Sequence, residues 1–143
     1  MSLEYLLDRL AIHDTIVRGC TAIDKHQPEL FDQVFAGDAM IDYSPIWGPD
    51  DYPAFRKWSK EWVDCASEGF SGWRHLLCNM AVDIEGDTAR VATDYYNPVI
   101  AKDQTVIHSY ATFYDTLIRT PEGWRISHRK TEAVRAPDPA TLF

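Results

Sequence analysis

At Trp73 the spacing of apolar residues changes from three-and-four to two, and it stays near two as far as Val134. Leu76, Cys78, Met80, Val82 and Ile84 share one parity, and His75, Leu77, Asn79, Ala81 and Asp83 share the other. Such alternation marks a half-buried strand. Taken at face value, it sets an apolar face against a face carrying His75 and Asn79. Three turn signals divide the chain beyond this strand: Glu85-Gly86-Asp87, Ala101-Lys102-Asp103-Gln104 and Thr120-Pro121-Glu122-Gly123. The strands between them run from Thr88 to Ile100, Thr105 to Arg119 and Trp124 to Val134. Turns this short join antiparallel neighbours, since a parallel crossover needs a dozen or more residues.

Upstream, the spacing is helical. Ser2 is placed to cap a helix from Leu3 to Asp24, which stops before Pro28. A shorter helix is expected over Pro28 to Phe35, with proline in its first turn and Gly37 closing it. Asp38 to Tyr43 reads as a strand, and Pro45 with Gly48-Pro49-Asp50-Asp51 as a loop. Tyr52 to Ala66 returns to helix, with Phe55, Trp58, Trp62 and Cys65 on one stripe and Gly69 ending it. Helices set apart from an antiparallel sheet mean an α+β fold. The expected architecture is a curved antiparallel sheet wrapped on N-terminal helices, an α+β barrel with an apolar pocket between the layers. The 143 residues suit one domain, 1–143, with residues 136–143 a coil or extended tail.

Asp24 breaks the pattern of the first helix. At roughly 100° per residue, Leu6, His13, Val17 and Cys20 fall within about 40° of it. A carboxylate on a core-facing stripe loses hydration and needs a partner. The best partner is His75, 51 positions along the chain. An imidazole abstracts protons near neutral pH, and a carboxylate on its second nitrogen fixes the tautomer. Such a pair also occurs as a plain satisfied contact beneath a sheet.

Other chemistries find less support. The net charge is −8 and the 14 Lys and Arg are scattered, which argues against nucleic acid and an anionic membrane surface. No apolar run reaches the ~18 residues of a membrane span, and the N-terminus lacks the features of a secretory signal. A cytoplasmic protein is expected. Cys20, Cys65 and Cys78 match no zinc or redox spacing and are expected to be buried thiols. His13 is expected in the core or an interface, and His26 in solvent. His108 and His128 lack a clear partner. No metal-ligand spacing, nucleophile elbow or phosphate loop is present, so no cofactor and no metal are expected. Trp47, Trp58, Trp62, Tyr95 and Tyr96 are candidates to line a pocket for a ring-shaped ligand, and Asn97 is a polar candidate beside them.

Several stretches together carry a family resemblance: Ala22-Ile23-Asp24-Lys25, Phe35 to Tyr43, Arg74-His75-Leu76-Leu77-Cys78-Asn79, Gly86-Asp87-Thr88-Ala89, and Glu122 to Ile126. In this order they resemble the SnoaL-like branch of the nuclear transport factor 2-like superfamily, from about Leu3 to Arg135. The resemblance implies a cone-shaped α+β barrel, commonly trimeric or dimeric, and hence a homo-oligomer. Within it, scytalone dehydratase and lindane dehydrochlorinase pair an aspartate ending the first helix with a strand histidine. Asp24 and His75 fall on those positions, and Tyr43 on that of a tyrosine which holds a substrate carbonyl through water. The surrounding positions differ. A second histidine of scytalone dehydratase falls near Val99 or Ile100, its serine and asparagine on Ala111 and Phe113, and the tyrosine before its aspartate on Ile23. A lysine or tyrosine of some relatives falls on Gly19.

The function expected is a cofactor-independent, dehydratase-like lyase or isomerase acting on a cyclic or aromatic small molecule. Asp24, His75 and Tyr43 are its catalytic candidates, and Trp47, Trp62, Tyr95, Asn97 and Phe113 its substrate contacts. The alternatives are a polyketide cyclase-like or epoxide hydrolase-like enzyme, a non-catalytic binder of hydrophobic molecules, and a structural subunit of an oxygenase.

Overall fold

A computed structural model of the chain describes residues 1–44 and 46–134. The elements are α1 (Leu3–Asp24), a 3-10 turn (Pro28–Gln33), β1 (Phe35–Tyr43), β2 (Trp47–Asp51), α2 (Tyr52–Gly69), β3 (Phe70–Trp73), β4 (Leu76–Glu85), β5 (Thr88–Ala101), β6 (Val106–Thr120) and β7 (Gly123–Ala133). The α+β architecture and the meander match expectation. The expected tail, and Pro45 of the expected loop, lie outside the described residues.

The strands form one curled sheet in the order β2-β1-β7-β6-β5, and both β3 and β4 pair with β5. It is mixed rather than wholly antiparallel, because β1 runs parallel to β7. Alternation within a strand says which face is buried, not which edges meet, so this pairing is not legible in the sequence. Two short strands also depart from expectation. β2 forms a hairpin with β1 where a loop was expected, and β3 occupies Phe70–Trp73. Their Gly and Pro content hides the period.

β3 and β4 share one edge of β5, and the break between them falls at Pro98. Its carbonyl accepts from Arg74 N–H at 3.3 Å, and proline has no N–H to return. The ladder is interrupted there, and Arg74 and His75 cross the gap. A bulge follows at once. Leu77 faces Tyr95 and Met80 faces Thr93, so Cys78 and Asn79 stand opposite Asp94 alone. The bulge resets the parity. His75 and Leu77 therefore face the same side as Met80, Val82 and Ile84, whereas Leu76 and Cys78 are exposed. The uniform alternation expected from Leu76 onward is corrected accordingly.

α1 packs with Asp8, Ile12, Thr15, Ile16, Gly19, Cys20 and Ala22 inward. A β-carbon on Gly19 would stand 3.3 Å from Val34 Cγ1, so the helix approaches this closely only without a side chain there. The expected stripe is rotated from the true one. Leu6, His13 and Val17 are exposed, because the leucine-rich N-terminal half pulls the apparent apolar face toward Leu3, Leu6, Leu7 and Leu10. Cys65 and Cys78 are likewise exposed, and Cys20 is buried. Among the described residues, no helix is long and apolar enough to cross a membrane.

Candidate functional site

α1 ends at Asp24, with Lys25 as its C-cap. The Gln27 N–H bonds to the Ala22 carbonyl and the His26 N–H to the Ile23 carbonyl, while His26 takes a φ of 57°. This is the paired closure of a helix C-terminus, with histidine where glycine is usual. The His26 ring lies flat on Trp73 at 5.0 Å. The Arg74 guanidinium donates to the Asp24 backbone carbonyl at 3.2 Å. Together these contacts fasten the end of α1 to the β3–β4 crossing.

There the Asp24 carboxylate meets His75 twice. Oδ2 accepts the His75 backbone N–H at 2.8 Å, and Oδ1 lies 2.7 Å from Nδ1. The side chains are 8% and 12% exposed for Asp24 and His75. A carboxylate this close assigns the proton to Nδ1 and leaves the lone pair on Nε2. Nε2 in turn lies 2.9 Å from the Asn97 side-chain nitrogen, which donates to it. Oδ1 of Asn97 is buried and has no hydrogen-bond partner among the described residues.

The Nε2 side of the ring opens into a small pocket of ≈ 140 Å³, below the range of about 300–1,000 Å³ usual for drug-sized ligands. α2 contributes Phe55, Trp58 and Trp62; β5 contributes Tyr95 and Asn97. Tyr43, Ile23, Ile46 and Ser109 complete the wall. Of the candidates, His75, Tyr43, Trp62, Tyr95 and Asn97 thus meet around one space, with Asp24 behind His75. Trp47 and Phe113 do not line it. Trp47 stacks on Trp58 at 5.2 Å from the outer side, and Phe113 is buried beneath Tyr95 at 4.2 Å. Tyr96 has the opposite parity to Tyr95 and packs on His108 and Tyr110 instead. His13 is exposed beside Asp14, not in the core. Sequence reasoning misses Phe55, Ile46 and Ser109 as pocket residues. Phe55 is legible as a helix-stripe residue, but nothing in the sequence marks Ile46 or Ser109.

The largest omission is Arg129. It forms a bidentate pair with Asp115, 2.7 Å at each contact, and the two side chains are 1% and 0% exposed. Its third contact is to the Tyr43 hydroxyl at 3.2 Å, and it lies 3.9 Å from the Phe113 ring centroid. Burial works against the Arg129 charge, but the Asp115 carboxylate more than offsets it, so Arg129 stays protonated well above its ordinary range. Burial also raises the Tyr43 pKa against the pull of Arg129. Tyr43 is therefore a neutral phenol whose oxygen already accepts from a cation, which strengthens its O–H as a donor. Burial pushes the Cys20 thiol up to about 12, so the cysteine behind the dyad is an inert thiol. Among the described residues, no group of three His, Cys, Asp or Glu converges closely enough to hold a metal ion.

A family model described as a SnoaL-like domain matches residues 4–130. The chain belongs to the SnoaL-like family. Its architecture is the nuclear transport factor 2-like one. An uncharacterised protein of Mycobacterium tuberculosis is 36% identical to it over 132 residues, covering 90% of this chain and 87% of the relative. Among solved structures, a protein of Novosphingobium aromaticivorans provisionally assigned as a scytalone dehydratase superposes with a TM-score of 0.81 at 21% identity, covering 100% of this chain and 99% of the other. Hexachlorocyclohexane dehydrochlorinase LinA-type3 of Novosphingobium barchaimii superposes at 0.77 and 17% identity, covering 99% and 97%. At these identities the structural likenesses establish the shared SnoaL-like fold, and the chemistry must be argued from the pocket.

Proposed function

We propose that this SnoaL-like protein is a cofactor-independent lyase or isomerase acting on a neutral cyclic or aromatic small molecule. The observation that carries the proposal is His75: Nδ1 is held by Asp24 at 2.7 Å, and the opposite side of the ring faces an aromatic pocket. In this mechanism Nε2 removes a proton from a ring carbon, and the C–H electron pair moves onto an adjacent carbonyl as an enolate. For a dehydratase, the enolate reforms the carbonyl and expels a β-hydroxyl, which takes the proton from Nε2 and leaves as water. For an isomerase, the proton returns to a different carbon. Asp24 holds the tautomer and stabilises the imidazolium. Tyr43 donates toward the developing oxyanion, directly or through water, and Trp62 and Tyr95 hold the ring. Two of the similar structures carry the names of eliminating enzymes, a provisionally assigned scytalone dehydratase and a hexachlorocyclohexane dehydrochlorinase, which supports the lyase reading.

Proton abstraction can be measured before the natural substrate is known. 2-Tetralone in D2O, followed by NMR, should take up deuterium beside its carbonyl faster with the protein than in buffer. His75→Ala should remove about 10²–10⁴-fold of that acceleration, the usual contribution of a general base. Exchange at the buffer rate despite saturable quenching of tryptophan fluorescence by the ketone would overturn the enzyme reading in favour of a binding protein.

A further inference from the structure

Proton transfer at His75 passes through Nε2, and that lone pair is already occupied. The Asn97 amide nitrogen donates to it at 2.9 Å, while the other amide atom, Oδ1, is buried without a partner among the described residues. An imidazole nitrogen has a single in-plane lone pair, so a substrate C–H and the Asn97 N–H compete for one site. Once Nε2 is protonated it becomes a donor, and the amide nitrogen facing it becomes the wrong atom. A half-turn of the amide about its last torsion exchanges the two atoms, and terminal sp³–sp² torsions of this kind are broad and roughly two-fold. After the turn Oδ1 accepts from Nε2–H, and Nδ2 lies where Oδ1 was.

We propose that Asn97 is a positioning residue for the base, an amide that turns as the proton arrives on His75 Nε2 and turns back as it leaves. The proposal rests on His75 being the base. It adds that the resting base is capped, so a productive substrate must displace the Asn97 N–H, and that the imidazolium gains a charge-assisted bond at Nε2 to match the one at Nδ1. Groups around the ring do not substitute for it. From α1 come Asp24, bonded on the Nδ1 side, and Cys20, Lys25 and His13, which line the outer face of the dyad. Arg74 is turned to the Asp24 and Trp73 carbonyls. Tyr95 meets His75 ring to ring at 5.4 Å, and the Tyr43 hydroxyl is on Arg129. α2 presents only uncharged aromatic side chains to this pocket.

The test is NMR of the ¹⁵N-labelled protein, with no substrate present, across the titration of His75. In the wild type, the Asn97 side-chain amide signals should move with the same midpoint as the His75 ring nitrogens. An exchange-protected Nε2–H signal should appear on the acid side. In Asn97→Leu the His75 midpoint should fall by roughly one unit, because a bond to a charged group is worth more than the neutral bond it replaces. Asn97→Gln, which keeps both amide atoms, should restore part of that shift. Asn97 amide signals that ignore the His75 titration in the wild type overturn the proposal, whatever the folding of the variants. So does a well-folded Asn97→Leu protein with an unchanged midpoint. Neither readout depends on turnover. Failure here leaves the tetralone exchange to judge the base, and failure of that exchange leaves the behaviour of the amide to be read independently.

Discussion

Asp24 binds His75 through both its oxygens, so the residue that orients the ring also fixes the backbone carrying it. Arg129 does the corresponding work for Tyr43, at a higher desolvation cost because it and Asp115 are fully buried. Arg129→Leu would leave Asp115 charged and unpaired, and should destabilise the fold by about 3–5 kcal/mol. Arg129→Leu combined with Asp115→Leu should regain most of that loss in urea denaturation, yet should slow the tetralone exchange because Tyr43 has lost its orienting cation. If the double variant is as unstable as the single one, the pair contributes to stability itself rather than to the placement of Tyr43. At this scale the sequence is partly legible. Asp24 stands out because a carboxylate is misplaced near apolar neighbours, and a strand histidine supplies the partner. Arg129 does not stand out, because an arginine on a late strand alternates like any solvated residue until the fold is known.

The elements meet this site through irregularities rather than through regular runs. α1 stops at Asp24 because His26 accepts a left-handed conformation, β5 loses a ladder position at Pro98, and β4 bulges at Cys78 and Asn79. Each aims a side chain: Asp24 toward the sheet, His75 across the gap, Leu77 into the core. The long helices and the meander can be read from their periods, but local breaks carry no period of their own. The β1–β2 hairpin shows the same point. Gly48 has a φ of +85°, and a β-carbon there would lie 2.7 Å from the Ile41 carbonyl oxygen. Gly48→Ala should therefore cost about 1–3 kcal/mol. It should also disturb the Trp47–Trp58 stack at the back of the pocket, seen as a change in near-ultraviolet circular dichroism beside a lowered Tm. An unchanged Tm would mean that the hairpin reshapes at little cost and does not support the aromatic wall.

Across the whole molecule, α1 is pinned to the sheet by one carboxylate in each half. Asp24 holds the C-terminal end at His75. In the N-terminal half, Asp8 accepts from Arg119 Nη1 and Nη2 at 2.7 and 2.8 Å and from Trp124 Nε1 at 3.0 Å. The two aspartates are 16 residues apart, about 24 Å along a helix, so the helix cannot tilt without breaking one of these clamps. The Arg119 hydrogen bonds, followed by that of Trp124, hold the Asp8 carboxyl below its ordinary value of 3.8. The unfolded chain therefore takes up this proton first as the pH falls. The contribution of Asp8 is complete above its ordinary value and is lost as the pH drops through the lower value of the folded state. Urea midpoints measured from pH 6 downward should fall through that acid window, and Asp8→Asn should flatten this part of the profile while lowering the plateau at pH 6. Arg119 also pairs with the exposed Asp87 at 2.9 Å, a contact open to solvent and worth little by itself. Asp87→Asn should accordingly leave the acid profile nearly unchanged. Equal effects from Asp87→Asn and Asp8→Asn would place the acid sensitivity in the charge of Arg119 rather than in the clamp on α1.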